Sequence, residues 1–354
     1  MKSHKFLSII FSLLIYDFTI AQSDTIIVHA DSLSNQTDII DVYRKIFKRP
    51  VKPQGPLKSR KVAYSGLPGA GYTLQTKFAI AFAMNAAFFT GDKKTTNLSV
   101  INITPVYTQN KQFIFQIQSN VWAKQNTYDF PGDFRYYKYP QSSYGLGGHT
   151  SLSVTNPMDY SYVSVRQAAL KLFTNDFFAG VGYAFDYHFN ITEKGNSNGT
   201  ESDYHKYGDG VSSLSSGITF HFLHDNRRNP INPKSGFYSN FIYRANITYL
   251  GSNDNWQSLI IDVRKYFKIQ RKNTLAFWSY NWFTFGGKVP YLDLPGTGWD
   301  TYSNTGRGYI QSRLRGKNFV FLEAEYRFGI LKNGLFGGVV FDAQFVYTSI
   351  LCVI

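Results

Sequence analysis

An all-β fold, a transmembrane antiparallel β-barrel, is the fold class that this sequence predicts, and three observations predict it. Apolar and polar residues alternate with a period of two, not 3.6, from Tyr72 onward. Charges recur in the middle of long strands, opposite aliphatic and aromatic residues. An export signal precedes them. Composition agrees. The 354 residues are 18% aromatic and 17% charged, with 29 Gly, which favours strands and turns. A hydrophobic fraction of 43% excludes global disorder. One Cys excludes a disulfide framework and a cysteine-based metal cluster. No apolar run after residue 21 reaches the ~18 residues of a membrane helix.

The first element is the signal peptide, residues 1–21. Lys2 and Lys5 make a positive start, Phe6 to Ile15 a short apolar stretch, and Thr19-Ile20-Ala21 the small-residue site, so cleavage is expected after Ala21. Asp17 and the short apolar stretch argue against a membrane anchor. Removing Lys2, Lys5 and Asp17 lowers the formal charge from +14 to +13. Export disfavours nucleic acid as the partner of that charge.

Residues 22–71 are expected to form a periplasmic basic tail or linker. It holds one amphipathic candidate helix, Asp38 to Lys48. Between Tyr43 and Lys61 lie Arg44, Lys45, Lys48, Arg49, Lys52, Lys58, Arg60 and Lys61, with no acid. Pro50, Pro53 and Pro56 keep this run extended. A solvated linker is one reading; binding to anionic headgroups or an acidic partner is the other.

The barrel is expected over 72–354. Alternation predicts strands near 72–90, 97–108, 111–123, 132–139, 142–150, 158–173, 176–191, 211–224, 235–248, 255–268, 273–285, 317–330 and 336–349, about thirteen. In 317–330, Val320, Leu322, Ala324, Tyr326, Phe328 and Ile330 oppose Glu323, Glu325 and Arg327. In 235–248, Phe237, Phe241, Tyr243, Ala245 and Ile247 oppose Tyr238, Asn240, Arg244 and Asn246. In 255–268, Leu259, Ile261, Val263 and Phe267 oppose Ser258, Asp262 and Arg264. A soluble sandwich also alternates. Repeated mid-strand charge fits a wet lumen and a lipid face better.

Connections add a second signal. Short ones are expected at Thr108–Lys111, Thr174–Asn175, Gln270–Asn273 and Leu331–Leu335, and long ones at 191–210 and 286–316. They alternate after 158–173, as short periplasmic turns and long external loops do.

Four stretches then narrow the class. His224-Asp225-Asn226-Arg227-Arg228-Asn229-Pro230-Ile231-Asn232-Pro233-Lys234-Ser235-Gly236 resembles the Asp-x-Arg-x-Asn-Pro…Pro-x-x-Gly turn of the BamA/TamA family, the bacterial surface antigen barrels. Gly306-Arg307-Gly308-Tyr309 is similar to that family's Val-Arg-Gly-Phe/Tyr loop motif. Leu322-Glu323-Ala324-Glu325-Tyr326-Arg327-Phe328 and Gly337-Gly338-Val339-Val340-Phe341-Asp342-Ala343 resemble the two strands that follow the loop. The order is the family's, and the resemblance covers about 205–349 well.

The resemblance implies that Arg307 folds into the lumen and meets Glu325 and Asp342, with Gly308 and Tyr309 beside it. It also implies a turn built on Asp225, Arg227, Asn229, Pro230, Pro233 and Gly236. Departures are present. Gly306 stands where the family has Val, and Gln344 where Gly is common. Residues 22–71 are too short for the family's periplasmic POTRA domains, which puts full assembly-factor activity in doubt. The resemblance implies about sixteen strands, an even count as in such barrels. About thirteen are expected here, and the ending Leu351-Cys352-Val353-Ile354 lacks a terminal aromatic residue. The sequence therefore reads as truncated at its C-terminus.

Other constellations carry little. Gly66 to Gly71 lacks the Lys-Ser/Thr of a phosphate loop. His221 and His224 face opposite sides of a strand. No Gly-x-Ser-x-Gly elbow is present. No catalytic residue, metal site or cofactor is expected, and the reading is not an enzyme. The leading expectation is an integral outer-membrane protein that inserts or translocates proteins, or lipids, at the outer membrane. Its expected partners are outer-membrane lipids and client proteins or assembly partners, around a monomeric barrel. The alternative is a passive pore or structural barrel without insertase activity.

Overall fold

The computed structural model describes residues 62–348 apart from 74, 228, 230–231, 270–272 and 331–335. Fourteen strands of the described residues form one sheet. They are β1 (Val62–Thr73), β2 (Lys77–Phe88), β3 (Ser99–Thr108), β4 (Phe113–Trp122), β5 (Tyr128–Lys138), β6 (Gln141–Ser143) and β7 (Asn156–Thr174). There follow β8 (Phe177–Glu193), β9 (Ser212–Asp225), β10 (Gly236–Asn246), β11 (Trp256–Lys268), β12 (Thr274–Phe285), β13 (Asn318–Gly329) and β14 (Phe336–Tyr347). Each pairs antiparallel with its neighbour in sequence, except that β5 passes directly to β7 and β6 pairs β7 from the side. No helix among the described residues is long and apolar enough to cross a membrane.

Two strand expectations need correction. The expected strand 72–90 is two strands, and the first begins at Val62, inside the segment expected as linker. β1 reads Val-Ala-Tyr-Ser-Gly-Leu-Pro-Gly-Ala-Gly-Tyr-Thr, so it carries no apolar–polar alternation. Its pairing with β2, from Val62↔Phe88 to Thr73↔Lys77, is what makes it a strand. The expected strand 142–150 is only the three residues of β6. Gly145 and Gly147, at φ +87 and +97, turn the backbone out of the ladder there. The signal peptide, the candidate helix Asp38–Lys48 and residues 351–354 lie outside the described residues.

Register fixes the faces, because directly paired residues share one. One row runs Asp225↔Tyr238↔Arg264↔Trp278↔Glu323↔Asp342. A row on the other face runs Phe222↔Phe241↔Ile261↔Asn281↔Val320↔Phe345. The polar face is the covered one. Phe341 and Phe222 are 74% and 51% exposed, while Ser215 and Asp186 are 0% and 2%. A sandwich packed for water would reverse this, since burying one such aromatic contributes about 1.5–3 kcal/mol.

The connections fall into two ends. From β5 onward, 139–155, 194–211, 247–255 and 286–317 lie at one end, here the long-loop end. The connections 175–176, 226–235, 269–273 and 330–335 lie at the other, the short-turn end. Length does not sort fully by end: 226–235 has ten residues against nine in 247–255, and in the first strands 74–76 and 109–112 are short at the long-loop end while 89–98 is the longer one opposite.

Candidate functional site

The lumen is filled by its own longest loop. Residues 286–317 leave β12, and Val289, Tyr291, Leu292 and Leu294 bury themselves against Tyr137, Tyr139, Tyr160, Tyr162 and Trp256 of the inner wall. Apolar side chains in the first part of the loop drive that packing. The loop's backbone polar groups must then find partners inside.

Arg315 supplies three of them. It is 2% exposed and donates to the carbonyls of Tyr291, Leu292 and Leu294 at 3.0, 2.9 and 3.3 Å, and to Ser312 Oγ at 3.0 Å. The base of the loop is closed on itself by this one guanidinium. Asp300 does the same for the tip, accepting from the backbone N–H of Thr305 at 2.8 Å and of Asn304 at 3.0 Å. The tip crosses to the far wall, where the Thr301 carbonyl accepts from Gln118 at 3.0 Å and Arg135 at 3.1 Å.

The wall around the loop is charged and paired. Asp186 of β8 meets Arg166 of β7 at 3.1 Å, bonds Arg244 of β10, and accepts from the Tyr162 hydroxyl. Ser215 Oγ donates to Asp293 of the loop at 2.5 Å, and His188 Nδ1 lies 3.5 Å from the other oxygen of that carboxylate. Burial first, then the negative charge of Asp186, push the Asp293 carboxyl up to about 7, against the hydrogen bond from Ser215. Elsewhere an acid and an Arg two residues later share a face and pair. These are Asp133–Arg135 at 2.6 Å, Asp225–Arg227 at 2.8 Å, Asp262–Arg264 at 2.7 Å and Glu325–Arg327 at 2.8 Å. Pairing of this kind is what allows charge in a partly dry interior.

The expected site residues fall as follows. Arg307 is brought to β13, but its Nε lies 3.3 Å from Glu323 Oε2, not from Glu325. Glu325 is held by Arg327. Asp342 is the cross-strand partner of Glu323, so it belongs to the same acidic patch. Gly308 has φ +85 with no side chain near its Cβ position, and Tyr309 is 55% exposed. Gly306, at φ +74, sits so close that a Cβ would lie 2.4 Å from Thr297 and 2.8 Å from Gln344. Thr297 Oγ1 in turn donates to Gln344 Oε1 at 2.9 Å. The two departures, Gly306 and Gln344, therefore touch. The Gln side chain occupies space that a larger residue at 306 would need.

The turn residues lie together at the short-turn end. Asp225 takes Arg227 in a two-pronged bond at 2.8 Å on each arm, and the Arg227 guanidinium stacks on the Tyr238 ring at 4.3 Å. The Asn229 side chain accepts from the Asn232 N–H at 3.0 Å, Pro233 is buried, and Gly236 adopts φ +122. Pro230 lies outside the described residues. Sequence reasoning missed Arg315, Asp186 and Arg166; it placed Arg244 on the polar face and gave it no partner. Arg313 of the loop also donates to the Thr150 carbonyl at 2.5 Å. Among the described residues no group of His, Cys, Asp and Glu is placed to hold a metal ion.

An antiparallel barrel-type sheet with an inner charged wall and one long loop folded against it defines the class. No family model matches the sequence, and no curated protein matches it. Solved structures match in shape. BamA from Haemophilus ducreyi lacking POTRA domains 1–3 is 14% identical, with TM-score 0.49, over 81% of this chain and 58% of that one. CdiB from Acinetobacter baumannii is 13% identical, with TM-score 0.49, over 81% and 50%. CdiB from Escherichia coli is 9% identical, with TM-score 0.50, over 78% and 50%. The chain spans about half the length of the structures it matches. At such identities the likeness is one of fold.

Proposed function

We propose that this chain is an integral outer-membrane β-barrel that takes part in inserting or translocating proteins at the outer membrane. One observation carries the reading: loop 286–317 lies inside the lumen, with Arg307 of its Gly-Arg-Gly-Tyr stretch on a β13 carboxylate. A wide open pore would leave that lumen to water. The apolar outer face supports a lipid surround, because aromatic residues such as Phe341 and Phe345 face outward in strands whose inner face is polar. An export signal, a periplasmic N-terminal side and a long-loop end facing outward complete the arrangement. Clients or assembly partners would be outer-membrane proteins, and the role is one of transport or assembly rather than catalysis of a bond change.

The test reconstitutes the full chain in vesicles and follows the folding of a urea-unfolded small outer-membrane barrel into them. Faster client folding than in empty vesicles is expected. Conductance without any acceleration would overturn the reading in favour of a passive pore.

A further inference from the structure

The two ends of the sheet differ in charge. At the long-loop end lysines sit among acids: Lys138 meets Asp159 at 2.8 Å, Lys288 meets Asp209 at 2.8 Å, and Lys206 meets Glu201 at 3.6 Å. At the short-turn end Lys93, Lys94, Lys124, Lys171, Lys265 and Lys268 are exposed, and none of the six forms an ion pair among the described residues. The exposed acids there are Asp92 and Asp176. In the connections 226–235, 269–273 and 330–335 the described residues add the exposed Lys234 and no acid. Strand β1 also starts at this end, since Val62 pairs with Phe88.

Three of these lysines stand beside aromatic rings, Lys171 and Lys265 beside outward ones. Lys93 lies over Phe89 at 5.7 Å, and Lys265 over Phe237 and Phe267 at 5.7 and 5.5 Å. Lys171 is the cross-strand partner of Tyr128, whose ring stacks on Phe130 at 5.9 Å. An aromatic body in the apolar layer with an ammonium reaching past it marks the depth of lipid headgroups. Unpaired lysines at that depth, with almost no acid, complement negative charge there.

We propose that the short-turn rim is a docking surface for anionic phospholipid headgroups, engaged through Lys93, Lys171 and Lys265. The assignment rests on the outer-membrane reading above and adds a lipid class and a leaflet to it: the leaflet at the short-turn, periplasmic end. It requires charge attraction, so salt must weaken it.

The full chain is reconstituted in vesicles of phosphatidylcholine, with trace spin-labelled phosphatidylglycerol or spin-labelled phosphatidylcholine. The fraction of each label immobilised by the protein gives its preference between the two. A preference for phosphatidylglycerol of about two- to fivefold is expected, as a lysine near a headgroup supplies. It should fall toward equality in high salt, a measurement that needs no variant. It should also fall in Lys93→Gln/Lys171→Gln/Lys265→Gln, but not in Lys111→Gln/Lys194→Gln/Lys206→Gln at the other end. Entry into vesicles with no preference, or with one that survives salt or the rim substitutions, overturns the rim assignment alone. So does salt-sensitive capture of polyglutamate by a chain that shows no lipid preference, which would give the rim to a soluble acidic partner. A chain that enters no vesicle overturns the outer-membrane reading and the rim together.

Discussion

Replacing Arg315 by alanine should release loop 286–317 from the lumen. The guanidinium is fully enclosed and makes four hydrogen bonds, three of them to carbonyls of the same loop. It also lies over the Tyr291 ring at 5.6 Å. Hydrogen bonds from a charged donor contribute about 1.5–3 kcal/mol each, and each orphaned carbonyl costs about 1–3 kcal/mol. These terms share one side chain and do not add in full. Water entering the vacated space would satisfy some of the carbonyls. A cost of about 3–5 kcal/mol remains, comparable to unpairing a buried charge. The assay is chymotrypsin cleavage of the reconstituted protein after Tyr302 and Tyr309, which lie in the loop. Where opening is fast relative to cleavage, the rate follows the open population. A loss of about 3 kcal/mol then speeds cleavage by roughly a hundredfold, at about 1.4 kcal/mol per tenfold. Arg307 is 38% exposed, so Arg307→Ala should cost only about 1 kcal/mol, roughly fivefold in rate. Arg315→Lys should fall between, because one ammonium cannot reach all four acceptors. Cleavage of a folded Arg315→Ala protein at the parent's rate, or faster cleavage in Arg307→Ala than in Arg315→Ala, would refute the reasoning.

Three further outcomes follow from the same geometry. Arg307→Ala combined with Glu323→Gln should be little worse than Arg307→Ala alone, whereas Glu325→Gln should add to it in full; equal additivity in this cycle, read by the same cleavage assay, would sink the Arg307–Glu323 pairing. Gly306→Val should destabilise the loop by about 1–3 kcal/mol through overpacking, and adding Gln344→Gly should recover part of it, leaving the strain of a β-branched residue at positive φ and the contact with Thr297. A folded Asp293 that titrates near 7 keeps its proton longer than the unfolded chain does, so stability falls as pH rises from about 4 through about 7 and is greatest below that window; Asp293→Asn should flatten the slope, and a loop held equally well at pH 5 and 8 in the parent would contradict this.

Much of the sheet was legible and the wiring of the loop was not. Alternation separated Leu322, Ala324 and Tyr326 from Glu323, Glu325 and Arg327 because the period of a strand is local. β1 was invisible because Gly66, Pro68, Gly69, Ala70 and Gly71 carry no contrast, and only pairing with β2 defines it. Parity placed Glu323 and Glu325 on one face, but which one the loop reaches depends on how deep the loop sits, a property of the whole lumen. A local signal did exist. Arg327 stands two residues after Glu325, as Arg135, Arg227 and Arg264 do after their acids, and that Arg occupies Glu325. Arg315 had no such signal, since its acceptors are main-chain carbonyls and any sequence offers those.

The central claim is that loop 286–317 lies inside a membrane-embedded sheet. Its most direct test joins Ser215 of β9 to Asp293 of the loop, whose side-chain oxygens lie 2.5 Å apart. In a Cys352→Ser background, Ser215→Cys/Asp293→Cys should be joined by a short bis-methanethiosulfonate cross-linker in the outer-membrane fraction, visible as a closed internal loop that shifts gel migration until reduced. Two cysteines that stay unlinked and react with an impermeant maleimide from outside would place the loop out of the lumen and contradict the account.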